Sequence, residues 1–586
     1  MRLIVISILA SLTALPVYLL GVCLYNLFFH PYRKYPGPLL ARTTPLHALW
    51  HAYIGDLHID ALRCHQKYGP YVRYSPNRLL VNTPTGLKGT HHTHFSQYSE
   101  WSADQRQDVY GQGKNFQKSK GYAPHPYFPT VFNTHNCIDK KMHGRKRRIV
   151  SQGFSESAMA GSEQYVLEHV RNLCDALIAD AKPGGWSEPR DMAMWSNYFT
   201  LDVISDLTFG RPFSMITSPK LRWMIDAIVD GNRHIYLRFA WPWLFNFQPK
   251  SWFAPARWLF PEMERERNSF TQIADTFTTD RLKSIEEGKC HRQDIMSALL
   301  AARDPNTGEK LSIEETCSEA HLMIAAGGDT TSTALSAVLF YLSRNRSSYL
   351  ELAQEIRSKF ADVKNIRRGP TLSSCHYLRA CLDEALRLAP AAPGALWREA
   401  GTGGAFVGGH YIPPGCDVGV CVYALSHDSK YFSDPFEFDP SRFLRRECHS
   451  ERSEALTTAS EMAEDPAFFP QSALSKSRHD VVVVNDLDAF APFLVGPRSC
   501  PAKPLAYLEL SLALAQVMWL FDFEPVDDTG AGAPVLGTGR ERPEEFQIVD
   551  MFSSNKQGPV LRFRRRDELL SWLVLASFAS STLLDD

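Results

Sequence analysis

Phe493-Leu494-Val495-Gly496-Pro497-Arg498-Ser499-Cys500-Pro501-Ala502 is the stretch on which the reading of this chain turns. Gly496 and Pro497 predict a tight turn. Arg498 sets a fixed positive charge two residues before Cys500, suited to pairing a carboxylate. Pro501 and Pro504 fit the first turn of a following helix, where a missing N–H costs little. Cys500 is therefore expected at a helix N-terminus, where the dipole and free amides favour a thiolate. A cysteine by itself is more often a small buried hydrophobe. These neighbours set Cys500 apart from the rest of the twelve cysteines.

Working back from this loop, Ala326-Gly327-Gly328-Asp329-Thr330-Thr331 lies in a long helical run. Ser312-Ile313-Glu314-Glu315 supplies a capping box for its start. Two adjacent glycines weaken a helix, and a kink there would open a groove; the bland alternative is close helix packing. Glu384-Ala385-Leu386-Arg387 places opposite charges at i,i+3 on one helix face. Phe438-Asp439-Pro440-Ser441-Arg442-Phe443 follows downstream. His143 and Arg147 are i,i+4 on another helix, within a basic run, Arg145 to Arg148, that by itself reads as a solvated face.

Together these features resemble the cytochrome P-450 superfamily, whose cysteine loop follows Phe-x-x-Gly-x-Arg-x-Cys-x-Gly. Phe493, Gly496, Arg498 and Cys500 match at that spacing, and Ala502 stands where the pattern has glycine. The resemblance implies a mainly α fold with a minor β component, the cytochrome P-450 fold, and haem b (iron protoporphyrin IX) as cofactor. It implies Cys500 as axial ligand of the haem iron, whose thiolate pushes electron density onto the metal. Arg498 and Phe493 then belong to the cofactor-binding loop. His143 and Arg147 match the family's Trp/His-x-x-x-Arg element that holds a haem propionate, and Arg398 resembles the other propionate arginine. Thr330 is expected to hydrogen-bond dioxygen or water while Asp329 relays protons, general-acid chemistry at short range. Glu384, Arg387 and Arg442 are expected to lock the haem-side core without acting in catalysis. Ala325, Ala326 and Ala391 to Leu396 are expected to line the substrate pocket. Gly111 to Phe132, with Tyr122, Tyr127, Phe128 and Phe132, is expected to form its lid. Lys140, Lys141, Arg145, Lys146 and Arg148 are expected in a docking face for an acidic electron donor.

The 586 residues are 44% hydrophobic, ample for a large core, and the formal net charge of −1 points to no nucleic-acid partner. The cysteines have no CxxC or framework spacing, so the bulk of the chain reads as facing a reducing compartment. Residues 3–29 are apolar and as a helix would run roughly 40 Å, enough to cross a bilayer. Arg33 and Lys34 follow, and the positive-inside rule keeps the remainder cytosolic. Residues 30–38 form a proline-rich hinge, and 39–566 the catalytic domain. Within it, 445–480 is polar and aperiodic and reads as a surface insertion. The apolar tail 567–586 is marginal in length for a span.

The resemblance, covering about 35–566, implies a monooxygenase that inserts one oxygen atom from O2 into a lipophilic small molecule. The hinge and cysteine loop look similar to fungal enzymes that tailor terpenoid, alkaloid or polyketide secondary metabolites. Electrons would come from NADPH through a separate NADPH-cytochrome reductase, a flavoprotein, at the endoplasmic reticulum membrane. Two other readings stand beside it. One is a haem-thiolate isomerase or dehydratase needing no reductase, which the intact Asp329-Thr330 pair argues against. The other is a non-catalytic haem protein, raised by the long separation of Arg442 and Cys500.

Overall fold

In the computed structural model, residues 2–88, 109–123, 131–241, 261–289, 291–444 and 485–566 are described, with 2–13, 15 and 261–268 described by backbone alone. The expected insertion 445–480, the tail 567–586, and Tyr127 and Phe128 of the expected lid lie outside them.

The tract of helical period becomes a stack of helices, among them Glu156–Leu177, Met192–Phe209, Met224–Ala240, Ile313–Arg344, Arg346–Lys359 and His376–Leu388. The Ser312–Glu315 capping box forms in both directions. Ile313–Arg344 runs without interruption through the glycine pair. Both glycines are needed for packing: a Cβ on Gly328 would lie 2.4 Å from Leu201 Cδ2, and one on Gly327 2.9 Å from Ile204 Cγ1. The facing helix, Met192–Phe209, is buried along nearly its whole length, and its Thr200 Oγ1 donates to Gly328 O at 2.6 Å. The glycine pair thus brings two helices together, where the sequence had suggested a groove-opening kink. The last long helix, Lys503–Leu520, is buried on most faces, as its unbroken apolar pattern predicts.

Strands are few and short. In the sequence, Tyr71-Val72-Arg73-Tyr74 and Leu79-Leu80-Val81 flanking Pro76-Asn77 make a hairpin pattern, and a hairpin forms from Tyr71–Ser75 and Arg78–Val81, with Tyr71 opposite Val81. It continues through Asp417–Gly419 and Arg398–Ala400 to Phe116–Lys118, a five-stranded sheet. The last pairing sets Lys118 directly opposite Arg398. A separate hairpin, Ile548–Met551 with Ser553–Lys556, turns at Phe552, whose φ is +77°.

A helix spans Arg2–Phe28. Among the described residues, which include the side chains of neither 2–13 nor 15, no helix is long and apolar enough to cross a membrane. The proline-rich stretch after it is docked onto the sheet: Arg73 N–H donates to Pro36 O at 2.8 Å, and a Cβ on Gly37 would meet Arg73 O at 2.3 Å. Arg73 Nη1 also donates to Asn26 O at 2.7 Å, tying the N-terminal helix to the same strand.

Glu384, Arg387 and Arg442 meet in the interior. Arg387 grips both Glu384 oxygens at 2.7 and 2.8 Å, and Arg442 Nε approaches Glu384 Oε1 at 3.2 Å. Asp439 N–H donates to the same oxygen at 3.0 Å. The remaining guanidinium N–H groups bind carbonyls of Ser426, Pro435, Glu437 and Asp434. Arg442 Nη1 donates to Asn485 Oδ1 at 2.9 Å, so the chain on the far side of the insertion is bound beside the triad. Glu384→Gln would leave buried Arg387 without a carboxylate and Arg442 with only Asp439, 3.9 Å away, at a cost of about 3–5 kcal/mol. A lowered urea midpoint should report it, whereas an unchanged midpoint would show the triad to be structurally idle.

Candidate active site

The loop before Cys500 is shaped by two left-handed residues, Leu494 at φ +56° and Gly496 at φ +74°. A Cβ on Gly496 would fall 2.0 Å from Tyr110 O, so only glycine fits. Cys500 N–H closes the loop on Phe493 O at 2.9 Å, and Ser499 N–H on Gly496 O at 3.0 Å. The helix then begins at Lys503 with Ala502 as its N-cap. Ala502 has φ −85° and ψ 11°, a conformation any L-residue adopts. The departure from the glycine pattern therefore carries no backbone strain.

The Cys500 side chain is accessible, yet protein encloses it on most sides, as in an internal cleft. That enclosure pushes its thiol pKa up; the amides of Ala502 and Lys503 and the charges of Arg147 and Lys503 pull the other way and do not win. The thiolate preference expected from the helix N-terminus is thus outweighed by desolvation. A bound metal cation would reverse this, because a coordinating thiol is deprotonated outright.

Around this cysteine the fold gathers cations. Arg147 Nη1 donates to Ser499 O. Arg498 donates to Cys137 O at 2.6 Å and Ile138 O at 3.0 Å. Arg398 is buried and donates to Leu396 O at 3.2 Å and Trp397 O at 3.0 Å. Lys118, buried opposite it in the sheet, donates to His135 O. Among the described residues, none of Lys118, Arg147, Arg398 and Arg498 forms a salt bridge. The consequences show in their acidities. Burial, with Arg398 and Arg498 nearby, drives Lys118 well below the usual lysine range. Burial and Arg398 lower Arg498 to about 10. Burial, with Arg498, Lys118, Arg147 and Arg398, lowers His143 to about 3. Lys118 and Arg398 are buried, with carbonyl dipoles and the Tyr122 and Tyr110 ring faces against them, and such cations are costly unless an anion joins them. A thiol ligand beside such a cluster fits an iron porphyrin carrying two carboxylates, so the residues present suit haem.

Thr330 and Asp329 sit on Ile313–Arg344 but in different surroundings. Thr330 Oγ1 donates back to Ala326 O at 2.7 Å; Ala326 is exposed and Ala325 half-buried. Asp329 is buried and bound from the Ser553–Lys556 strand: Lys556 Nζ lies 3.1 Å from Oδ1, and Ser553 Oγ donates to Oδ2. Lys556 Nζ also donates to Ser332 Oγ at 2.6 Å and Asn197 Oδ1 at 3.1 Å. No local motif marks Lys556, Lys118 or His135. They reach the site through strand pairing and loop closure, which a local sequence window does not show.

The basic run is divided. Lys146 is buried against Glu315 at 2.9 Å, Arg145 pairs with the same carboxylate, and Arg148 holds Asp304 through two hydrogen bonds, at 2.7 and 2.9 Å. Of the five residues expected in a docking face, only Lys140 and Lys141 are exposed. A row of aromatic rings adjoins the cations: His135 contacts Phe552 at 5.3 Å, Phe552 contacts Phe239 at 5.2 Å, and Phe239 contacts Tyr122 at 4.5 Å.

A cysteine-ligated porphyrin site in a mainly helical fold is that of a haem-thiolate enzyme. The family model for cytochrome P450 matches residues 36–534. Cytochrome P450 monooxygenase apf7 of Gibberella fujikuroi is 37% identical, over 93% of this chain and 96% of its own. Cytochrome P450 monooxygenase AKT7 of Alternaria alternata is 37% identical over 94% and 95%, and atnE of Emericella nidulans 35% over 93% and 94%. The chain belongs to the cytochrome P450 family, and its reaction class is that of a haem monooxygenase, an oxidoreductase. Gly496→Ala should abolish haem incorporation, because its Cβ collides with the Tyr110 backbone, while Ala502→Gly should leave the absorption spectrum unchanged and stability within about 1 kcal/mol. A haem-replete Gly496→Ala protein would contradict this account of the loop.

Proposed function

We propose that this protein oxygenates a lipophilic product of fungal secondary metabolism, with Cys500 as the axial haem ligand. The observation that carries the reading is the enclosed Cys500 thiol beside Arg147, Arg498, Arg398 and Lys118, none of which forms a salt bridge among the described residues, with the neutral His143 ring next to them. In the bound state, His143, Arg147, Arg398 and Arg498, with Lys118 beside them, would take the two haem carboxylates, and Phe493 O would hold the Cys500 amide. The haem supplies activation of O2 for insertion into a C–H bond or alkene. In a hydroxylation the balance is substrate, O2, NADPH and a proton to alcohol, water and NADP+.

The chain's own residues handle the substrate and the proton. The rings of Phe552, Phe239 and Tyr122, with Ala325 and Ala326, offer an apolar wall suited to a lipophilic scaffold. Thr330 holds the hydroxyl that donates at the reacting end. Asp329 holds a carboxylate one residue away, and Lys556 positions it. Electrons are proposed to come from NADPH through a separate flavoprotein reductase, with Lys140 and Lys141 as the exposed remainder of its docking face. The Arg2–Phe28 helix is proposed as a single-pass anchor in the endoplasmic reticulum membrane, with the catalytic domain in the cytosol. Leu39, Leu40, Leu46, Trp50 and Tyr53, exposed just beyond it, support a lipid-facing side.

Full-length protein reconstituted with a reductase should convert a lipophilic scaffold only when NADPH and O2 are both present, and Cys500→Ala should lose the thiolate-type reduced carbon-monoxide band. Product formed without NADPH would replace this reading with an isomerase or dehydratase. Absence of the thiolate band in haem-loaded wild-type protein would leave a non-catalytic haem protein.

Thr330→Ala should keep haem while product formation falls on the order of 10²-fold, with NADPH still consumed. Lys556→Met should show the same split, because Asp329 loses its positioning partner. Tight coupling in the Thr330 variant would remove the proton-delivery role.

A further inference from the structure

The first helices of the globular domain hold a second cluster of metal-binding side chains, separate from the haem site. Leu46–Ile54 carries His47 and His51, and Leu57–Tyr68 carries Asp60 and Cys64, each pair at i,i+4 on one helix face. Packing the two helices together brings the four side chains to one point. His47 Nε2 lies 2.8 Å from Asp60 Oδ2, and Cys64 Sγ 3.7 Å from the same oxygen. The donor atoms of His47, Asp60 and Cys64 all lie within 4.8 Å of one another, and among the described residues this is the one such grouping. Cys64 is a free thiol.

The surroundings are those of a supported ligand set. Tyr74 OH donates to Asp60 Oδ2 at 2.7 Å from the neighbouring strand. His51 turns Nε2 toward Asp60 Oδ1 at 3.5 Å, while its Nδ1 is held by Asp56 at 2.6 Å. A carboxylate–histidine contact of this kind fixes ring orientation around metal sites. The His47 and Asp60 side chains are 14% and 13% exposed, so a cation has a path in and solvent has room to complete its coordination.

We propose that His47, Asp60 and Cys64 form a binding site for Zn2+, with water as fourth ligand and with His51 and Tyr74 orienting Asp60. One imidazole nitrogen, one carboxylate oxygen and one thiolate sulfur make the mixed donor set that zinc takes, at about 2.0–2.3 Å from each donor. Donors already this close need only small side-chain movements to share one ion. Burial and Asp60 hold the free Cys64 thiol protonated, its pKa well above the usual value. Zinc displaces that proton to solvent as the sulfur–metal bond forms. The ion then clamps the two helices, with the Tyr71–Ser75 strand tied to them through Tyr74 and Asp60.

The test uses full-length, haem-loaded protein, stripped with a chelator and dialysed against micromolar Zn2+. Elemental analysis should give one zinc for each iron, and zinc-edge X-ray absorption should show one sulfur at about 2.3 Å. Cys64→Ser should lose the sulfur and His47→Gln should lose most of the bound zinc, while His51→Phe should weaken binding about 10–100-fold. The reduced carbon-monoxide spectrum should be the same in all variants, showing that haem is untouched. If Cys64→Ser fails to load haem, His47→Gln carries the test. Zinc at background in the wild type, or bound equally by wild type, Cys64→Ser and His47→Gln, would overturn the proposal and leave a hydrogen-bonded knot around Asp60.

Discussion

Glu384 is fully buried and carries two arginines, and much of the haem-side architecture hangs on that arrangement. A single carboxylate cannot neutralise two guanidiniums. The surplus charge is spread over the carbonyls of Ser426, Pro435, Glu437 and Asp434, which belong to a segment with little regular secondary structure. These bonds give the segment's carbonyls donors from the triad, while Asp434 O also accepts from Glu437 N–H. The triad therefore satisfies a stretch of irregular backbone and binds it to the His376–Leu388 helix in one step. Arg442 extends the hold to Asn485, fifteen residues before Cys500.

The neighbouring active site uses the opposite arrangement. There the cations outnumber the acids, and no triad balances them. Lys118 and Arg398 face each other across a strand pair, Arg498 adds to the same field, and His143 is held neutral by it. Such a cluster lowers the stability of the polypeptide alone and favours any ligand that brings negative charge. Cys500 differs: burial favours its neutral thiol, and a bound metal would have to displace that proton. Stability and cofactor capture are thus coupled through desolvation, and the anionic, metal-bearing group answers both demands at once.

Much of this was legible in the residues. The hairpin around Pro76-Asn77, the Ser312 capping box and the buried last helix follow patterns of a few residues, where local geometry decides, whereas the meeting of Glu384 and Arg387 with Arg442 followed from the family resemblance. Other readings changed when distant elements came together. Gly327 and Gly328 read as a weak point in a helix and proved to be the place where Leu201 and Ile204 pack. The basic run after His143 read as one face and is shared among Glu315, Asp304 and Ser499. Lys556, more than two hundred residues from Asp329, had no signal at all.

The sequence by itself determined the ligand loop and the class of chemistry, because a spacing of Phe, Gly, Arg and Cys within ten residues is enforced by the turn those residues make. It also determined that Ala502 was a small departure. Only the tertiary structure showed why alanine is tolerated there, through an ordinary φ that no spacing reveals. Only the tertiary structure decided the electrostatics of Cys500, because burial is summed over the whole fold and overrode the local pull of the helix N-terminus. The same holds for the partner of Asp329 and for the His47–Asp60–Cys64 cluster. Hydrogen bonds, ion pairs and metal ligands act over a few ångströms of space, whatever the distance along the chain.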